Sequence, residues 1–146
     1  MDIIITNADI TFNVRTCCIV YSKTKKEILV QRKVGEPEES WALPGGRVKL
    51  GESSKDAISR ELNEEFAIRD SSPKLITVGE QVIPLFSKDY HQIIFVYKLT
   101  LDSEIPRNLD SSLEYKWSPV KDMNKIHPTW ADSHVLHSNV RYFDGC

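Results

Sequence analysis

The chain has 146 residues, 40% of them apolar and 27% charged, and 19 Lys plus Arg against 21 Asp plus Glu leave a net charge of −2. Those values describe one globular domain over 1–146, and they exclude disorder, collagen-like repeats and a broadly basic nucleic-acid-binding surface. No apolar run approaches the roughly 18 residues of a membrane span, Met1 to Ile5 lacks a basic n-region, and Cys17, Cys18 and Cys146 make no disulfide framework, so a cytoplasmic chain without membrane or nucleic-acid partners is expected.

The first strand is expected over Arg15 to Tyr21 and the second over Glu27 to Arg32. The polar stretch from Ser22 to Lys26 joins them as a hairpin. Val34 to Ser40 holds Gly35 and Pro37 and reads as a loop. In Trp41-Ala42-Leu43-Pro44-Gly45-Gly46-Arg47-Val48, Pro44 ends any ladder, and the glycines allow a turn and a close approach.

Ser53 to Phe66 is the clearest helix. Ser53 and Asp56 have the spacing of a capping box, and Ile58, Leu62 and Phe66 form an apolar stripe. Leu75 to Pro84 and His91 to Leu101 read as strands, the latter apolar enough to be central. Asp102 to Ser112 is a polar loop, Leu113 to Trp117 one more strand, and Ala131 to Ser138 a short helix. Strands around a long helix give an α/β or α+β sandwich.

The anomaly is Glu61, Glu64 and Glu65 in the last two turns of that helix, next to Arg60. Like charges at i,i+3 and i,i+4 repel by a few tenths of a kcal/mol, and a helix C-terminus disfavours anions. A sequence selected for folding alone could avoid both costs. Clustered carboxylates suit hard cations such as Mg²⁺, Mn²⁺ or Ca²⁺. His127, His134 and His137 are scattered and no Cys/His spacing suggests zinc. The Cys17–Cys18 pair reads as buried strand filling, since no activating neighbour accompanies it.

Gly46, five residues, Glu52, seven residues, then Arg60-Glu61-Leu62-Asn63-Glu64-Glu65-Phe66-Ala67-Ile68 resembles the box of the Nudix hydrolases. The family pattern is Gly-x5-Glu-x7-Arg-Glu-U-x-Glu-Glu-x-Gly-U, with U aliphatic. Every fixed position matches except Ala67, which stands where the family has glycine; Leu43 to Gly46 is also typical of the segment before the box. The missing glycine follows the helix end, where the chain commonly turns left-handed. Alanine tolerates that at roughly 1 kcal/mol.

The resemblance implies a Nudix-like α/β/α sandwich with a central mixed β-sheet. It implies hydrolysis of a nucleoside diphosphate linked to another moiety, with Mg²⁺ or Mn²⁺ as cofactor. It makes Glu61, Glu64 and Glu65 the metal ligands, with the carbonyl of Gly45 or Gly46 as a further one. Glu64, Arg60, Glu52 and Glu61 become the catalytic set, with Arg60 orienting carboxylates through a salt bridge to Glu52. Glu80, Asp110 and Glu114 are alternatives to a box glutamate as general base. Arg32, Gly45, Phe86 and Glu114 are the expected substrate contacts, with Lys33 near phosphate. Pro84, sixteen residues after Ile68, looks like a marker of ADP-ribose-hydrolysing members. Trp41, Phe86, Tyr90, Tyr115, Trp117 and Trp130 could stack on a base, with Phe86 and Trp130 in loop-like surroundings.

Three readings follow from the resemblance. The first is a pyrophosphohydrolase of an ADP-ribose or nucleotide-sugar type of substrate. The second is the same chemistry on normal or oxidised nucleoside triphosphates. The third is a non-catalytic module sensing a nucleotide, which the intact glutamates disfavour. The partner is a nucleotide-derived small molecule, and exposed β edges are compatible with a homodimer.

Overall fold

The computed structural model describes residues 1–69, 72–85, 88–131 and 144–145. Its elements are β1 (Ile4–Thr6), β2 (Ile10–Tyr21), β3 (Glu27–Lys33), β4 (Gly45–Arg47), α1 (Ser54–Phe66), β5 (Lys74–Leu85), β6 (Lys88–Thr100), β7 (Leu113–Pro119) and β8 (Asp144–Gly145). Short 3₁₀ turns cover Glu38–Ser40 and Val120–Lys125. One mixed sheet runs in the order β7-β3-β2-β6-β5-β8, with β1 and β4 also paired to β2.

Strand β2 organises the molecule. It runs parallel to β6 over twelve residue pairs, from Ile10 opposite Asp89 to Tyr21 opposite Thr100. Its side chains alternate between faces, as a strand demands. Cys18 and Val20 join Leu29, Tyr97 and Leu99 beneath Ile58, Leu62 and Phe66 of α1. Cys17 and Ile19 join Ile28, Val30, Trp41, Leu43, Met123 and Ile126 on the other face. The neighbouring cysteines therefore point apart, and both are free and buried. Burial pushes the Cys17 thiol up to about 12 and raises Cys18 as well. The expected filling role of these residues is the observed one.

The first hairpin is present, with Ser22 N–H donating to the Glu27 carbonyl at 2.9 Å. Several strands extend beyond their apolar runs. Strand β2 starts at Ile10 rather than Arg15, because its first half, which alternates apolar and polar residues, is held by β1 and by β6. Strand β1 has exposed side chains and no core signal in its sequence.

The Gly-Gly segment is not a simple turn. Gly45–Arg47 is a short strand antiparallel to β2, with Cys17 opposite Gly45 and Arg15 opposite Arg47. Pro44 does not end the pairing, because its carbonyl accepts from Cys18 N–H at 2.9 Å. A Cβ on Gly45 would collide with the Thr16 carbonyl, so only glycine fits there.

Helix α1 is capped by Ser53, whose hydroxyl accepts from Asp56 N–H at 3.1 Å. It ends at Ala67 with φ 57° and ψ 28°, the left-handed conformation expected where the family has glycine. Ala67 and Ile68 N–H donate back to the Asn63 and Leu62 carbonyls at 3.1 and 3.2 Å, which satisfies acceptors the helix end would otherwise orphan. Burying Ile58, Leu62 and Phe66 contributes about 1.5–3 kcal/mol per side chain and fixes the helix over the sheet. The short helix expected over 131–138 falls, beyond Ala131, outside the described residues, as do His134, His137, Cys146 and Phe86. Among the described residues, no helix is long and apolar enough to cross a membrane.

Candidate active site

A cleft of about 480 Å³ opens where β4 meets the last turns of α1. Gly45, Gly46, Glu61, Glu65 and Asp110 line one part of it, and Arg15, Arg32, Lys33 and Arg47 another. Acids and cations thus face a common space.

The helix sorts its glutamates by position. Glu61 and Glu65 are one turn apart and lie against β4, where a Cβ on Gly46 would collide with the Glu61 carboxylate. Glycine at 46 is therefore a requirement of that carboxylate's position. Burial pushes the Glu65 carboxyl up to about 8, reinforced by the charge and hydrogen bond of Glu61 and by Asp110, while Arg15 acts in the opposite direction. Glu65 Oε2 is buried without a hydrogen-bond partner.

Arg60 gathers the remaining carboxylates. Its Nη2 donates to Glu52 Oε1 at 2.7 Å and its Nε to Glu52 Oε2 at 3.1 Å, a bidentate pair. Its Nη1 donates to Glu61 Oε1 at 2.9 Å and to Glu64 Oε2 at 3.4 Å. Nη2 also reaches the Arg47 carbonyl at 3.2 Å, which ties the helix to β4. The Arg60 bond holds the Glu52 carboxyl down at about 2, helped by the Lys49 N–H at 2.9 Å. The sequence-expected Glu52–Arg60 pair is formed.

Glu64 shares the Arg60 Nη1 donor with Glu61. Its side chain is 56% exposed, on the Arg60 side of the helix. Among the described residues, no three His, Cys, Asp or Glu side chains converge on a single point. Glu61 and Glu65 line the cleft, and Glu64 does not. Those two suit a divalent cation: Glu65 has a buried oxygen lacking any donor, it shares its space with a second carboxylate, and both are hard oxygen ligands.

Three later acids were candidates for proton transfer, and the fold separates them. Asp110 lines the cleft. Its loop is docked on the helix end by Leu109 N–H to the Glu65 carbonyl and Arg107 N–H to the Phe66 carbonyl, both 2.9 Å. Ser112 Oγ at 2.6 Å and Ser112 N–H at 2.9 Å hold Asp110 Oδ1 and lower the acid's pKa. Glu80 instead meets His91 Nε2 at 3.1 Å on β5 and β6. Glu114 lies opposite Arg32 across β3 and β7 and bonds its Nε. Glu114, expected to touch substrate, is thus engaged by Arg32 and absent from the cleft lining.

Arg32 is in the cleft as expected, but it is also anchored. Glu38 accepts from its Nη1 at 3.2 Å, and its guanidinium lies 4.4 Å from the Trp41 ring centre. Lys116 Nζ sits 4.6 Å from the same ring. Trp41 is therefore occupied by cations and cannot also stack on a base. Tyr115 meets Phe66 edge-on, and Trp130 lies on Gly79 with its Nε1 donating to Gln81 at 2.9 Å. Arg15 and Arg47 line the cleft without having been singled out by sequence. Their one available signal is a charged residue at the mouth of an apolar strand and another just after the glycine pair.

The NUDIX domain model matches residues 11–138. The chain belongs to the Nudix family. It is a hydrolase acting on phosphoric anhydride bonds. It is 29% identical over 126 residues to YvcI, an uncharacterized Nudix hydrolase of Bacillus subtilis, covering 83% of this chain and 75% of the relative. It is 25% identical over 126 residues to the RNA pyrophosphohydrolase of Ruthia magnifica, covering 72% and 69% respectively. A MutT Nudix hydrolase from Burkholderia pseudomallei superposes with a TM-score of 0.69 at 23% identity, covering 86% of this chain and 98% of the other, a likeness of fold. Nudix hydrolases are generally divalent-metal dependent and act on varied phosphoric anhydrides.

Proposed function

We propose that this Nudix hydrolase is a divalent-metal-dependent pyrophosphohydrolase of a nucleoside diphosphate linked to another moiety, of the ADP-ribose or nucleotide-sugar type. The observation that carries this reading is the shared cleft, in which the Glu61–Glu65 pair faces Arg15, Arg32, Lys33 and Arg47. A pyrophosphate is a charged electrophile that repels an anionic nucleophile, so its hydrolysis needs charge neutralisation on the phosphate oxygens.

Glu61 and Glu65, joined by Glu64 or the Gly46 carbonyl, would hold Mg²⁺ or Mn²⁺, which would supply Lewis-acid neutralisation and activation of water. Arg60 keeps Glu61 oriented, and Glu52 keeps Arg60 oriented. The cations on the opposite side bind phosphate oxygens as point charges or forks. Asp110, ionised and anchored by Ser112, takes the proton released when water attacks phosphorus.

A second reading, hydrolysis of nucleoside triphosphates, is favoured by the number of cations in the cleft, which could serve a longer phosphate chain. Pro84 does not discriminate. It is an exposed residue of β5 opposite Asp89 and does not line the cleft. The test is hydrolysis of ADP-ribose, nucleotide sugars, dinucleoside polyphosphates and triphosphates with Mg²⁺ or Mn²⁺, resolved by chromatography. Turnover of diphosphate-linked compounds, abolished by chelation, supports the first reading. Turnover confined to triphosphates replaces it with the second, and specific binding without turnover replaces both with a sensing module.

A further inference from the structure

Arg15 is the cleft cation that the protein itself leaves unanswered. It lies on β2, and the antiparallel register sets it directly opposite Arg47 on β4. Like charges at opposed positions of an antiparallel pair destabilise it. Burial and the neighbouring Arg47 charge both lower the pKa of Arg15. Withdrawing a guanidinium from water is costly unless it is hydrogen-bonded to an anion.

The other arginines of the cleft have partners. Arg32 is bonded by Glu114 and Glu38, and Arg47 has Asp2 at 3.8 Å. Among the described residues, the Arg15 side chain has no hydrogen bond and no ion pair. Glu61 and Glu65 are near enough to act on its charge, yet neither bonds to it. A counter-charge for those acids would be expected to touch them. Instead Arg15 lines the open cleft beside them, next to Arg47 and Gly46. An arginine without a partner, opposite a second one held only by a 3.8 Å ion pair and adjoining two carboxylates suited to a divalent cation, is a seat for a phosphate whose other oxygens face that cation.

We propose that Arg15, with Arg47 beside it, contacts a substrate phosphate and seats it against the Glu61–Glu65 pair. The proposal rests on the pyrophosphohydrolase reading for its biological meaning, but the anion seat can be tested apart from it. Arginine forks hold phosphate oxygens bidentately, and lysine replaces them only as a point charge. The protein bears the cost of the opposed arginines in the empty state and recovers it when the anion binds.

The probe is inorganic pyrophosphate without divalent metal, in the presence of chelator, followed by calorimetry and by thermal shift. Wild-type protein is expected to bind it and melt higher. Arg15→Met is expected to weaken binding at least tenfold, with Arg15→Lys between the two. The ligand-free melting temperature of Arg15→Met should equal or exceed that of wild type, because a buried charge and a like-charge pair are removed. With any compound of the panel that is turned over, Arg15→Met should raise KM at least tenfold, and Arg15→Lys should partly restore it. A purely structural role would lower stability and leave KM alone. If the Met variant does not fold, Arg15→Gln and Arg15→Lys carry the same comparison. Equal pyrophosphate binding by wild type and the Arg15 variants, or none by wild type, overturns the seat. Arg15-dependent binding with no compound hydrolysed supports the seat and removes the proposed substrate class instead.

Discussion

Glu52 and Glu65 belong to the same 23-residue box and have opposite surroundings. Glu52 precedes the cap of α1, at the end of the helix that favours anions, and is clasped by both arms of Arg60. Its carboxyl is held at about 2. Glu65 lies in the last turn, at the end that disfavours anions, beside a second carboxylate and with a buried oxygen that nothing donates to. Its carboxyl is pushed up to about 8. The protein satisfies one carboxylate from within and leaves an oxygen of the other without a donor. A carboxylate satisfied internally acts mainly on stability, whereas one left unsatisfied acts mainly on binding.

The sharpest way to break that comparison is to neutralise Glu65. Glu65→Gln keeps the shape and removes the charge, so metal-dependent turnover should fall by a factor on the order of 10² or more. Metal-free stability in denaturant should hold or rise, since the cost of burying or protonating that carboxyl is gone. Steady-state kinetics with Mg²⁺, paired with unfolding in chelator, reads both halves. Retained turnover would show that Glu65 does not seat a metal. Glu64→Gln ranks below it, because Glu64 stands on the exposed Arg60 side. A larger effect from Glu64 would mean that the metal-bound arrangement differs from the one the free carboxylates adopt.

Arg60→Ala attacks the other half. It leaves Glu52 without its fork and frees Glu61 and the Arg47 carbonyl from one shared donor. A stability loss of about 2–3 kcal/mol is expected from stranding partly buried charge, together with lower activity through Glu61. Denaturant midpoints with unchanged m-value would check the first effect. Intact stability would mean that solvent replaces the guanidinium, and the internal-satisfaction account would then be wrong.

A pH series isolates Glu52. Its folded pKa lies below the unfolded value of 4.5, so its contribution is present above 4.5 and is lost as pH falls toward about 2. Discounted for partial exposure, the contribution is on the order of 1–2 kcal/mol. Wild type and Glu52→Gln should therefore differ in unfolding free energy at pH 7 and converge near pH 2. A constant gap across that range would assign the loss to packing instead.

The resemblance carried by the box exposed much of this site and missed the rest for a definable reason. Helix α1, its Ser53 cap, the Glu52–Arg60 pair and the left-handed Ala67 are local events, each set by residues within eight positions. Arg15 and Arg47 become neighbours only when the Gly-Gly segment turns out to be a strand on β2. That is a long-range pairing for which the glycines gave no periodic signal. The pairing of Glu114 with Arg32 was hidden for the same kind of reason, since only the β3–β7 register sets the two opposite each other. The metal-ligand spacing of the box was legible, yet which carboxylates face each other depends on where β4 presses on the helix. Aromatic residues were ambiguous in sequence because a ring serves a core and a ligand equally well. The structure commits Trp41, Tyr115 and Trp130 to packing and cation contacts.

The smallest expected effect lies just past Glu65, where the last turn ends. Ala67 is held at φ 57°, a conformation that glycine adopts without a Cβ penalty. Ala67→Gly removes that strain but also gives the unfolded chain more freedom, so the two terms partly cancel. The net expectation is a gain of about 0.5 kcal/mol, or a rise in melting temperature of about 2 °C. Turnover should stay within twofold, because the carbonyls of Glu65 and Phe66 remain tied to Leu109 and Arg107 whatever stands at 67. A gain in stability with a clear change in turnover would show that strain at the helix end helps set the Glu65 carboxylate. The two ends of the box would then be coupled rather than separate in what they do.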